Sequence, residues 1–197
     1  MSTKHIIMSM LEIAPMTGYE IAQNLSTSVV PFWSATASQI YNALKSMKEN
    51  NLVETENSIR GEKMNVEQYT LTDTGRKELD DWIQDDIQYI PIREPFLLWS
   101  SYMEKCTLEQ ALSVIDKHIE KFEKRARQLE EATYKIQTNE YKLMKMRSES
   151  TPKEKFKKIQ MARAFAYGEI AAKARFEVEQ AKRIRQFAYS FFSENDL

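Results

Sequence analysis

Ser38, Asn42 and Lys45 recur at steps of four and three. At about 100° per residue they fall on one side of a helix, with Tyr41 on the flank and Gln39 in the first turn. Hydroxyls, amides and a lysine are the groups that pair with base edges: Asn or Gln can meet adenine bidentately, and lysine suits guanine. A solvated helix face ordinarily alternates Glu with Lys, whereas 34–48 contains Lys45 and Lys48 and no acid. Arg60 and Lys63 flank Gly61 in a polar stretch further on, where cations at a loop tip would meet phosphates or the minor groove. Tyr19, near the start of an earlier helical segment, completes the set as a backbone-holding residue. The chemistry is hydrogen bonding and ion pairing to double-stranded DNA, with Tyr19, Ser38, Gln39, Tyr41, Asn42, Lys45, Arg60 and Lys63 as candidate contacts.

The elements that would carry these groups are legible around them. Ile40, Leu44 and Met47 gather opposite the polar face, so 37–50 reads as a helix with one side in a core. Thr36 and Gln39 form a capping box at its start, as Thr17 and Glu20 do for a helix over 18–25. Ile6, Ile7, Met10 and Leu11 predict a helix over 4–12, stopped by Pro15. Segments 52–55 and 66–71 read as two strands around a polar loop at 58–64. Thr72 then caps a helix to about 86, with Leu79, Trp82 and Ile83 expected to face inward. Helix, turn, helix and hairpin in that order predict a winged helix-turn-helix, which lays one helix in the major groove with a hairpin beside it.

Beyond this the pattern changes. Pro91 and Pro95 bound a linker over 88–95, and Pro95 can open a helix to about 105. Thr107 and Gln110 form another capping box. Leu108, Leu112, Ile115, Ile119, Phe122, Ala126 and Leu129 then alternate steps of four and three, continued by Ile136 and Leu143, which is a heptad seam. A break at 148–151 precedes a last helix with Thr151 as cap and Pro152 at its first position. That helix carries Phe156, Ile159, Ala162, Ala166, Ile170, Ala174, Ala181, Ile184 and Ala188. Two long amphipathic helices bury their stripes best against each other and a second copy, so a homodimer is expected, matching the two-fold symmetry of a palindromic operator. The fold class is therefore mainly α with a small β-hairpin: a winged helix-turn-helix domain over 1–90 and a helical dimerisation domain over 91–197.

Totals bound the alternatives. The 197 residues carry a net charge of −1, split unevenly: 7 Lys+Arg against 13 Asp+Glu in 1–90, then 21 against 16 in 91–197. An acidic winged domain is unusual for a DNA binder, but local phosphate contacts matter more than the total. Six acids (Asp73, Glu78, Asp80, Asp81, Asp85, Asp86) are expected in the helix after the hairpin, away from 34–48. One cysteine, Cys106, excludes an internal disulfide and fits a reducing compartment. No apolar run reaches membrane-span length and no signal-peptide pattern opens the chain, so the reading is cytoplasmic with no membrane partner. His5 and His118 lack an obvious metal or nucleophile partner, and no phosphate-binding or hydrolase motif occurs. The chain reads as a non-enzyme without cofactor or metal.

The segments TGYEIAQNLS (17–26), FWSATASQIYNALKSM (32–47), NNLVE (50–54) and QYTLTDTGRKEL (68–79) resemble the PadR family of bacterial transcriptional regulators. Through IREPFLLW (92–99) the likeness runs into the C-terminal helices, as in the longer subfamily with virulence-activator-like members. The resemblance implies a winged-helix domain, a helical dimerisation domain, usually repression and, in some members, release by a small aromatic or drug-like molecule. Ala37 and Asn42 depart from the His and Pro that phenolic-acid-type members carry, and Pro95 replaces a family acid. Aromatics at Phe32, Trp33, Tyr89, Phe96, Trp99 and Tyr102 suit either a pocket for a flat ligand or an ordinary core; Trp33, Phe96 and Trp99 are the candidate ligand-binding residues. The alternative reading is a helical interaction module that keeps the winged helix as a protein-docking surface.

Overall fold

The fold begins with a short helix that buries nearly everything apolar it has. In the computed structural model, which describes residues 3–26, 35–60, 64–85 and 93–193, α1 (Thr3–Leu11) buries Ile6, Ile7, Met8, Met10 and Leu11. The chain forms two compact units, Met1–Tyr89 with Lys145–Pro152, and Ile90–Met144 with Lys153–Leu197.

In the first unit, β1 (Met16–Thr17) leads directly into α2 (Gly18–Ser26). Thr17 and Glu20 form the expected reciprocal cap: Glu20 N–H donates to Thr17 Oγ1 at 3.2 Å, and Thr17 N–H and Oγ1 donate to Glu20 Oε2, each at 2.9 Å. α3 (Ala37–Glu49) follows, then β2 (Val53–Arg60), β3 (Met64–Leu71) and α4 (Asp73–Gln84). The sheet has three strands in the order β1-β3-β2, all antiparallel. This corrects the two-strand expectation: Met16 and Thr17 pair with Tyr69 and Gln68. The hairpin is also longer than its apolar pattern, because cross-strand pairing continues to Arg60 and Met64 through the stretch read as loop. Cross-strand backbone hydrogen bonds carry that part of the ladder.

α4 departs from expectation at one end. Leu79 is buried and Trp82 stacks on His5, with ring centroids 4.7 Å apart at 11°. Ile83, however, is 68% exposed; one step past Trp82 turns its side chain about 100° away from the core. The helix stops at Gln84, so Asp85 lies beyond it and Asp86 lies outside the described residues. Arg147 donates to Glu12 Oε2 at 2.9 Å within this unit.

The second unit is built on two long helices, α6 (Leu108–Gln137) and α8 (Lys153–Ser193). At about 1.5 Å per residue, the 41 residues of α8 span about 60 Å. α5 (Pro95–Ser100) opens on its proline but ends five residues short of the expected length, followed by a 3₁₀ turn at Met103–Lys105. Thr107 caps α6 with Gln110 as the sequence indicates. The seam positions Ile115, Ala126, Leu129 and Ile136 are buried, packed with Tyr167, Ala171 and Ala174 of α8 in one cluster and with Ala181 and Ala188 in another. The heptad does not run unbroken to Leu143. α6 ends at Gln137 with Thr138 as its C-cap, Asn139 adopts φ 58°, and Leu143 belongs to α7 (Lys142–Ser150). Asn is one of the few side chains tolerated in that left-handed conformation at a helix end. Gln160 then donates to the terminal carbonyls of Ile136 and Gln137, at 2.8 and 3.1 Å. Ala162, read as inward-facing, is exposed.

Candidate nucleic-acid interface

α3 sits as its periodicity requires. Ile40, Leu44 and Met47 are 0–1% exposed, while Ser38, Gln39, Tyr41, Asn42 and Lys45 all face solvent. Its start is fixed by the capping box: Gln39 N–H donates to Thr36 Oγ1 at 3.2 Å, and Thr36 N–H donates to Gln39 Oε1 at 2.9 Å. Gln39 thus spends its carbonyl on the cap and leaves only its amide NH2 free to donate elsewhere. Lys45 has no ion-pair partner among the described residues. At the far end, Asn50 Nδ2 donates to Ser46 O at 2.7 Å and Asn51 takes φ 56°, turning the chain into β2.

Tyr19 and Tyr41 stand together. The Tyr41 ring passes close over Gly18, where a Cβ would lie 2.6 Å from Cε1, so the glycine makes room for the ring. With Thr17, Val66, Glu67 and Tyr69 these residues line a cleft of about 470 Å³ beside α3. The sequence reading missed one part of this wall. Lys48 Nζ lies 2.5 Å from Glu67 Oε1, and Tyr69 Oη donates to Glu67 Oε2 at 2.9 Å. The lysine and tyrosine hydrogen bonds hold the Glu67 carboxyl below its usual range, and burial together with the Glu67 bond pushes the Tyr69 phenol up to about 12. Strand alternation could have placed Glu67 and Tyr69 on one face; nothing local links either to Lys48.

On the wing, Arg60 closes β2 opposite Met64. The Arg60 side chain and Lys63 lie outside the described residues, as does Trp33 of the aromatic set.

Phe96 and Trp99 line a separate cavity of about 480 Å³ in the helical unit, with Val114, His118, Phe122, Lys121, Lys173 and Glu177 around it. Their rings stack at 5.7 Å and 12°. His118 lies 3.8 Å from Phe96 and 4.5 Å from Phe122, so it is a packed aromatic of this wall. Its Nε2 is 3.5 Å from Glu177 Oε2. Burial lowers the His118 pKa, against the opposing pull of Glu177.

A helix-turn-helix followed by an antiparallel hairpin, with a polar acid-free face on its second helix, defines the winged helix-turn-helix class. Residues 7–81 match the family described as "Transcriptional regulator PadR-like family". Over those residues the chain is thus similar to a family of transcriptional regulators. It is 33% identical over 114 residues to the negative transcriptional regulator PadR of Bacillus subtilis (strain 168), a match covering 56% of this chain; the chain thus spans 60% of that relative's length. At the level of fold the likeness runs further. Bacillus subtilis PadR in complex with operator DNA superposes with a TM-score of 0.64 at 24% identity, covering 97% of each chain. The same protein in complex with p-coumaric acid gives 0.56 at 25%, covering 98% of each. The virulence activator AphA of Vibrio cholerae gives 0.51 at 20%, covering 99% of this chain and 98% of that one. The long C-terminal helices therefore belong to the shared fold. Among the described residues, no helix is long and apolar enough to cross a membrane.

Proposed function

We propose that this chain is a sequence-specific DNA-binding transcriptional repressor that acts as a homodimer on a palindromic operator and is released by a small aromatic effector. The observation that carries the reading is the α3 face: Ser38, Asn42 and Lys45 exposed together, free of acids, on a helix anchored by three fully buried side chains. Such a helix can enter a groove about 12 Å wide and present two hydrogen-bonding groups and a cation to base edges. The operator complex of the Bacillus subtilis relative supports the same use of the fold.

Lys45→Ala is expected to weaken operator binding by roughly ten- to a hundredfold, the range for losing one good base contact. The dimer should be unaffected, since the side chain faces solvent. Gel-shift titration with genomic fragments, beside size-exclusion chromatography, measures both; unchanged binding removes Lys45 from the interface.

For the effector, the cavity at Phe96 and Trp99 supplies ring faces, and Lys121 and Lys173 line it with positive charge suited to an acidic substituent. The p-coumaric acid complex of the relative makes that compound the natural first probe. It should quench tryptophan fluorescence of the wild type saturably, and Trp99→Phe should remove most of the quenching. A quench that survives Trp99→Phe in full puts the binding elsewhere.

A further inference from the structure

The reading helix carries two cations, Lys45 and Lys48, and one of them is already engaged. Lys48 lies a heptad beyond Tyr41 and so on the same flank of α3, the flank that faces β3. There its ammonium meets Glu67 Oε1, while the phenol of Tyr69 holds Oε2 and so sets which oxygen turns toward the lysine. Tyr69 is 8% exposed and fixed by its place in the sheet, so the carboxylate is positioned from the core side. The pair itself remains open to solvent, with Lys48 50% and Glu67 42% exposed. Glu67 also stands in the wall of the cleft shared with Tyr19 and Tyr41, both candidate contacts. A negative group thus occupies the flank of a face whose proposed ligand is a polyanion, in a domain already short of positive charge.

We propose that Glu67, oriented by Tyr69, acts as a brake on DNA affinity by holding Lys48 against β3 and away from the phosphate backbone. The inference rests on the DNA-binding reading above and deepens it. It assigns Lys48 no phosphate contact in the wild type, leaving Lys45 as the helix's free cation among the described residues, and it makes Glu67 the residue that sets how many phosphates the helix can engage. The advantage of such a brake is discrimination. Phosphate contacts strengthen binding to every sequence alike, so withholding one leaves a larger share of the affinity to base contacts.

Because phosphate contact is independent of sequence, a fluorescein-labelled duplex of mixed sequence suffices as the probe. Binding is followed by fluorescence anisotropy over a salt series for the wild type, Glu67→Gln, Lys48→Ala and the double variant. Both positions are open to solvent, and glutamine keeps an acceptor for Tyr69. Glu67→Gln should steepen the slope of log affinity against log salt by about 0.9, one added phosphate contact, and tighten binding on the order of tenfold near 0.1 M salt. Lys48→Ala alone should leave the wild-type slope unchanged. The double variant should return to it, because the gain runs through Lys48. Three outcomes each overturn the brake: a wild-type slope that Lys48→Ala flattens, a slope that Glu67→Gln leaves alone, or a steeper slope that persists with Lys48 absent. A wild type that binds no duplex at all instead removes the DNA-binding reading, and the brake with it.

Discussion

Gly75→Ala lowers the stability of the winged domain by about 3 kcal/mol and takes the proposed DNA binding with it. Gly75 is the third residue of α4, and its neighbours weld that helix to the turn between α3 and β2. Thr72 Oγ1 accepts from Gly75 N–H at 3.0 Å and donates to Asn51 O at 2.8 Å, while Thr72 N–H donates to Leu52 O at 3.2 Å. A Cβ on residue 75 would lie 2.2 Å from that same Leu52 carbonyl oxygen and 2.7 Å from Leu71 Cδ1. The leucine side chain can turn aside. The carbonyl cannot, because it is held between Thr72 and the backbone of Asn51, which already adopts φ 56°. Relief therefore requires α4 to move off the turn, giving up the cap and loosening Leu79. Alanine's better helix propensity returns only about 1 kcal/mol. For a domain of this size the melting temperature should fall on the order of 10 °C or more. Thermal unfolding followed by circular dichroism measures it, and a melting temperature equal to wild type shows that the turn yields and the argument is wrong.

Gly75 also shows where local pattern stops being informative. The three capping boxes at Thr17, Thr36 and Thr107 were readable because each is a contact over three residues, written in the side chains themselves. The burial of Ile40, Leu44 and Met47, and with it the outward face of Ser38, Asn42 and Lys45, followed from one helical period. What could not be read depends on partners far along the chain. The two residues of β1 are too short a run to show any alternation; they are a strand because residues 68 and 69 of β3 offer an edge. Glu67 looks like one more solvated acid until β3 brings it beside Lys48, 19 residues earlier. His118 read as a helix residue beside the seam, and becomes a pocket wall only once α5 stacks Phe96 on it. The end of α6 is an intermediate case. Asn139 is a residue type tolerated at a helix stop, but the apolar register of Ile136 and Leu143 continues across it and hides the break.

Phe176→Asp is expected to weaken self-association of the proposed dimer by on the order of a thousandfold, because each copy would lose a ring from the same symmetric contact. The α8 face away from α6 carries an apolar stripe that a single chain leaves in water: Met161 is 63% exposed, Phe165 70%, Phe176 56% and Phe187 57%. The three phenylalanines are spaced by eleven residues, three helical turns at 3.67 residues each, so they drift only about 20° per repeat and stay on one line. Arg183 lies over Phe176 at 5.6 Å and shields part of that ring without covering it. Isolated exposed apolar residues need no explanation, but a file of large rings along some 30 Å of helix is the kind of patch that marks an interface. A second copy fits it by symmetry, since two such helices run antiparallel would set Phe176 near the midpoint of the line and pair the outer rings with each other. Burial of one phenylalanine is worth about 2 kcal/mol, counted twice in a two-fold contact. Aspartate at 176 would moreover bring two carboxylates together near the axis. Analytical ultracentrifugation should show the wild type as a dimer and Phe176→Asp as a monomer at concentrations where the wild type stays paired, while circular dichroism reports unchanged helix content. DNA affinity should drop in parallel, because one winged domain engages only half of a palindrome. A variant that sediments as the wild type does would move the dimer contact off this stripe and leave its four exposed side chains to some other partner.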